Sequence, residues 1–196
     1  LESETIGGCT CLSSEEKNVR GDAYVTTELF DHEYKLLHDH VDLKEITPIT
    51  DKEYHPRGTT ALLDAVGRTI NDIGVRLNDT PEEKRPSKVI FVITTDGYEN
   101  ASKEFSKAKV KEMIEHQQSK YSWVFMFLGA NMDAVSEAGS LGIKTDFAKT
   151  YTANKIGTES VYKSVASSLS YARNADFDVN NMNDVYYQTV TCLDEV

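Results

Sequence analysis

KVIFVITTDG, running from Lys88 to Gly97, reads as a strand and a sharp turn. Lys88–Thr95 is almost wholly apolar and β-branched, the composition of a strand buried on both faces in a parallel sheet. Asp96-Gly97 then breaks the run, which puts a carboxylate at the strand's carboxyl end. Outward from this stretch the chain alternates strand and helix. Upstream, Gly58-Thr59-Thr60 opens a helix in which Leu62, Leu63, Val66, Ile70, Ile73 and Leu77 recur at three- and four-residue steps. Asn78–Ser87 carries two prolines and ends it. Downstream, a helix is predicted over Ser106–Lys120 with Val110, Met113, Ile114 and Gln117 on one side, then a buried strand over Trp123–Leu128. A short helix through Ala134–Leu141 stops at Gly142, a left-handed cap. Ala148–Tyr151 reads as a short strand and Thr158–Ala172 as a helix with Val161, Val165 and Leu169 inward.

Ahead of all this, Ala23–Phe30 and Tyr34–Val41 are joined by Asp31-His32-Glu33 at hairpin spacing. Strands separated by helices of this length imply a doubly wound, mostly parallel α/β sheet with helices on both faces. Residues 1–173 therefore read as one domain, Asn174–Asp184 as a polar linker or loop, and residues 185–196 as a C-terminal strand of the same domain. A chain of 196 residues fits a single core.

The charge balance narrows the function. Lys+Arg 21 against Asp+Glu 32 gives a net −11, so phosphate backbones and anionic membranes are repelled. No apolar run approaches the ~20 residues needed to span a bilayer, and Leu1–Gly8 lacks the basic and apolar regions of a secretory signal. Cys9, Cys11 and Cys192 cannot all pair within one chain and show no CxxC spacing. They read as reduced thiols in a cytoplasmic compartment.

Ligands in such folds bind beyond the carboxyl ends of the strands, which points to Thr60, Asp96 and Asn131. The Thr60 hydroxyl can cap its helix, bind a metal, or do both. Asp96 can serve as a turn residue or a ligand. Together they offer hard oxygen donors suited to Mg²⁺, which keeps its waters and needs few protein ligands. His38 and His40 alternate along a strand and so share a face; with no carboxylate or thiol to complete a zinc site they read as surface histidines. Glu99 and Asn100 either rim the site or form its turn, and Asp133 reads as a helix cap.

Gly58-Thr59-Thr60-Ala61-Leu62-Leu63-Asp64-Ala65 and Val92–Asn100 (VITTDGYEN) resemble two of the three signature segments of von Willebrand factor type A domains, in the family's order and spacing. The resemblance is to small bacterial and phage members and covers most of Leu1–Ala172. It implies a metal-ion-dependent adhesion site in which Thr60 matches the metal-binding threonine and Asp96 the second aspartate. It further implies metal-assisted binding of a protein partner rather than catalysis.

The family's first signature, an aspartate and two serines as D-x-S-x-S after the central strand, does not appear; Leu1–Gly8 resembles the helix that follows it. A sheet lacking its central strand leaves unpaired backbone on both neighbours. Tyr186–Leu193, followed by Asp194, is the leftover strand with the right pattern. The expectation is a circularly permuted sheet with Asp194 beside Thr60 and Asp96; the rival is a truncated domain whose last strand pairs at an edge or with a second copy. The function expected is a non-enzymatic module that binds a partner's acidic side chain through Mg²⁺ held by Thr60, Asp96 and Asp194. A metal-independent scaffold and a phosphotransfer hydrolase with Asp96 as nucleophile are the alternatives.

Overall fold

The structure, a computed structural model, describes residues 21–53 and 58–173 together with Ile6 and Lys17. The three cysteines, the linker expected over Asn174–Asp184, the strand expected over Val185–Leu193 and Asp194 lie outside the described residues.

Among the described residues five strands and four α-helices organise the domain: β1 (Tyr24–Phe30), β2 (Tyr34–Asp42), α1 (Leu62–Asp79), β3 (Ile90–Thr95), α2 (Lys107–Tyr121), β4 (Val124–Ala130), α3 (Ala134–Ser140), β5 (Ala148–Tyr151) and α4 (Lys155–Arg173). β1 and β2 form an antiparallel hairpin. β3, β4 and β5 form a parallel sheet in that order, with Ile90 opposite Val124 and Phe127 opposite Ala148. The domain is thus mixed α/β, with a parallel sheet flanked by helices. Among the described residues no helix is long and apolar enough to cross a membrane.

β4 is the centre of the core. All seven of its residues are buried, Phe125, Met126, Phe127 and Leu128 almost completely. Against this strand collect the apolar faces that helical spacing predicts: Leu62, Val66 and Ile70 of α1, Val110 and Ile114 of α2, Val161 and Val165 of α4. Fully burying each such side chain contributes ~1.5–3 kcal/mol. Gly142 takes φ +78°, the left-handed turn expected after α3.

β3 departs from expectation. Its apolar run predicts burial on both faces, yet only Ile93 and Thr95 are buried and the other four residues are half-exposed. The physical reason is its place in the sheet: among the described residues β3 pairs with β4 alone, so one backbone edge and the side chains near it stay open.

The hairpin is tied to the remainder chiefly through α1. The Thr69 hydroxyl of α1 and the Tyr34 hydroxyl of β2 both donate to the Glu28 carboxylate of β1. Arg76 pairs with Asp39 and reaches Thr26 Oγ1 at 3.3 Å. Burial raises the Glu28 pKa above the ordinary carboxylate value, against the lowering effect of the two hydroxyls, and the charges of Asp72 and Asp39 add to the rise. A raised folded-state pKa means that the ionised form is penalised in the fold. The penalty is absent where the group is protonated in both states, and it grows as pH rises past the ordinary value. Glu28→Gln is therefore expected to raise stability modestly at neutral pH, an effect that solvent around this half-exposed group keeps small, with the gain vanishing below pH ~4. Urea midpoints of the two proteins across that range check it.

Candidate functional site

The segment before α1 and the turn after β3 meet at Thr60 and Gly97. β3 ends at Thr95, whose hydroxyl donates to the Gly97 carbonyl (2.9 Å) and accepts from the Gly97 N–H (3.2 Å). The chain folds over itself there and leaves Asp96 exposed at the strand's carboxyl end. A Cβ on Gly97 would lie 2.7 Å from Thr60 Oγ1, so the threonine hydroxyl sits against the backbone next to Asp96. Only a residue without a side chain permits that approach.

The expectation that Thr60 opens the helix is corrected. α1 begins at Leu62, its N-cap position is Ala61, and no side chain caps it from there. The N–H groups that a capping threonine would satisfy are taken from across the fold instead. Leu63 N–H donates to Glu99 Oε2 (2.9 Å) and Asp64 N–H to Ser102 Oγ (3.0 Å). Thr60 itself is fixed by its backbone: its N–H donates to Asn100 Oδ1 (2.9 Å), and its carbonyl accepts the Asn100 N–H (3.0 Å).

This exchange runs both ways. Glu99 gives a carboxylate to the start of α1 and also accepts from Ala101 N–H, Ser102 N–H and the Ser102 hydroxyl, at 2.7–2.9 Å. Asp64, in the first turn of α1, returns a carboxylate to the loop after Asp96. It accepts from the N–H groups of Lys103, Glu104 and Phe105 at 2.8–2.9 Å. Burial alone would raise both pKa values. The backbone donors outweigh it, joined by the Ser102 hydroxyl at Glu99 and the Arg68 charge at Asp64, and hold both carboxyls below their ordinary range. Arg68 in turn makes a two-pronged ion pair with Glu104.

Other residues at this edge have structural duties. Asn131 adopts φ +54°; its side-chain oxygen accepts the Ala153 N–H at 3.0 Å, so it builds a turn. Asp133 caps α3 through the Ser136 N–H, as expected. The Tyr98 hydroxyl accepts from Asp133 N–H at 3.2 Å and links the loops after β3 and β4.

The hairpin turn joins the same edge, since Ala61 N–H donates to the Asp31 carbonyl at 2.6 Å. Asp31, His32 and Glu33 have donor atoms within 4.8 Å of one another, a set that a metal could share. His32 Nδ1 also lies 3.3 Å from Thr59 Oγ1. Sequence reading treats this tripeptide only as a turn. Its signal is three ligand-type residues in succession, which is weak because surface turns favour the same residues. Of the two alternating histidines, His40 is exposed, at φ +53°, and stacks on Tyr24. His38 is half-buried rather than on the surface, and burial lowers its pKa.

The Thr60 hydroxyl thus lies against Gly97, the residue that follows the exposed Asp96, while Asp194 is outside the described residues. The missed members are Asp64 and Ser102, and Glu99, expected at the rim or in the turn, instead braces the start of α1. A carboxylate within the apolar stripe of α1 is the signal for Asp64. The chain matches no family model, no curated protein and no solved structure.

Proposed function

We propose that this chain is a non-enzymatic binding module of the von Willebrand A type, in which Thr60 and Asp96 hold Mg²⁺ and a carboxylate on a protein partner completes the metal's shell. The observation that carries this reading is the Thr60 hydroxyl. It is relieved of capping duty by Glu99 and Ser102, and it lies against Gly97 beside an exposed aspartate. A threonine used only to start a helix would spend its oxygen on that helix.

The donors fit the ion. A hydroxyl and a carboxylate are hard oxygen ligands, and Mg²⁺ is content with one or two carboxylates plus water. Asp194 is the proposed third protein ligand. The order of elements supports the family reading too: a hairpin, then strands alternating with helices, with both signature segments at one edge.

The test is thermal unfolding of the wild type and Asp96→Ala, each in excess Mg²⁺ and in chelator. A ligand bound only by the native state stabilises it by ~2.7 kcal/mol at a hundredfold excess over its dissociation constant. The wild-type midpoint is expected to rise with Mg²⁺ and that of Asp96→Ala to stay fixed. In chelator the two should differ by less than ~0.5 kcal/mol, because Asp96 is exposed. A wild type indifferent to Mg²⁺ would overturn the metal site and favour a metal-independent scaffold.

A further inference from the structure

A cleft of about 1200 Å³ separates the hairpin from the parallel sheet among the described residues. Its two long walls are strands: Tyr24–Phe30 on one side and Lys88–Asp96 on the other. β1 pairs with β2 and β3 with β4, and neither has a second partner among the described residues. Each therefore turns an open hydrogen-bonding edge toward the cleft. α1 backs it through Ala65, Val66, Thr69 and Ile73, and Tyr162 and Leu169 of α4 line it as well.

The two walls run in the same sense. The chain just past β1 meets the start of α1 through the Ala61–Asp31 hydrogen bond. The chain just past β3 meets Thr60 through Gly97 and Asn100. Both carboxyl ends thus converge on Thr60-Ala61. One added strand, parallel to both walls and hydrogen-bonded to each, would merge hairpin and sheet into a single six-stranded sheet. The walls are seven and six residues long, which sets the length of the insert.

We propose that this cleft is a docking slot for one β-strand and that Val185–Leu193 of this chain occupies it. Three observations select this occupant. VYYQTVTCL is β-branched and aromatic, the composition of a strand, and of the segments outside the described residues it alone reads that way. α4 follows β5 and seats Val161 and Val165 in the core, so the chain leaves it beside the cleft. Leu169, one turn before α4 ends, already lines the cleft. The eleven residues Asn174–Asp184 reach up to ~36 Å when extended, and β5–α4–strand becomes one more parallel crossover. The proposal rests on strand edges and not on the metal, so it stands where the Mg²⁺ site fails; of that site only the Asp194 ligand depends on it.

Hydrogen exchange on the 196-residue chain tests it. Amides of Val185–Leu193, and those of β1 and β3 not bonded to β2 or β4, are expected to exchange about a hundredfold or more slower than free amides, equally at low and high protein concentration. In Val190→Pro, which removes one N–H from the insert, protection should fall at all three segments while β4 and β5 stay protected. Should that variant fail to fold, the wild-type pattern decides. Unprotected Val185–Leu193 overturns the proposal, whether the walls are open or protected by some other strand. Protection that appears only with dimerisation assigns the slot to a second copy and overturns it as well.

Discussion

Asp64→Ala is expected to destabilise the domain by about 3 kcal/mol or more, a large share of the ~5–15 kcal/mol that holds a typical domain together. Asp64 is 8% exposed and accepts from three consecutive backbone N–H groups. Hydrogen bonds to a charged group are worth ~1.5–3 kcal/mol each, and with Lys103 and Glu104 exposed and Phe105 half-buried the freed N–H groups turn in part to water, which holds the loss near the low end for three bonds. Alanine supplies no acceptor, so Lys103, Glu104 and Phe105 would all lose theirs. The effect has a pH signature. Because the folded-state pKa of Asp64 lies below its ordinary value, the stability it contributes is complete above the ordinary pKa and is lost as pH falls through the folded value. Urea midpoints should therefore show a wide gap between wild type and Asp64→Ala at neutral pH that narrows in acid below pH ~4. A gap unchanged with pH would mean that side-chain volume, not charge, is what the alanine removes.

Gly157→Ala should cost about 2–3 kcal/mol, against the direction that helix propensity gives. In a helix interior alanine is favoured over glycine by ~1 kcal/mol. Here a Cβ would come within 2.2 Å of the Thr152 carbonyl oxygen and 3.1 Å of its carbon. These are backbone atoms, so no rotamer change relieves the overlap. Either the first turn of α4 or the turn after β5 must shift. That shift would disturb the Gly157 N–H bond to Asn154 Oδ1 (2.8 Å) and the seating of Val161 and Val165 in the core. Chemical denaturation of the variant settles the sign; a gain in stability would mean that the close approach relaxes freely.

The regular elements were largely legible because each carries its own period. The stripe of α1, the uninterrupted apolar run of β4 and the hairpin spacing around Asp31-His32-Glu33 all became the elements expected, within one to three residues at their ends. Gly142 took the left-handed turn that its position implied. Where reading along the chain failed, the cause was a partner distant in sequence. The run Lys88–Thr95 reports its own apolarity, but how many neighbours a strand has is decided by other segments. Thr60 looked like a cap because local rules place a cap there; Glu99 and Ser102, nearly forty residues on, do the work instead. Glu99 could be read only as rim or turn, since one carboxylate near a turn does not disclose that four donors converge on it.

The reciprocal tie between the start of α1 and the loop after β3 has a consequence for how this edge would meet the partner proposed for it. Thr60 is anchored on both sides of its backbone and the loop beside Asp96 is braced by two carboxylates, so the edge holds its shape before contact is made. Little conformational entropy is then left to lose on association, and a partner would meet a surface that docks nearly as a rigid body. Affinity differences among partners at such a surface are written mainly into how long they stay, not how fast they arrive.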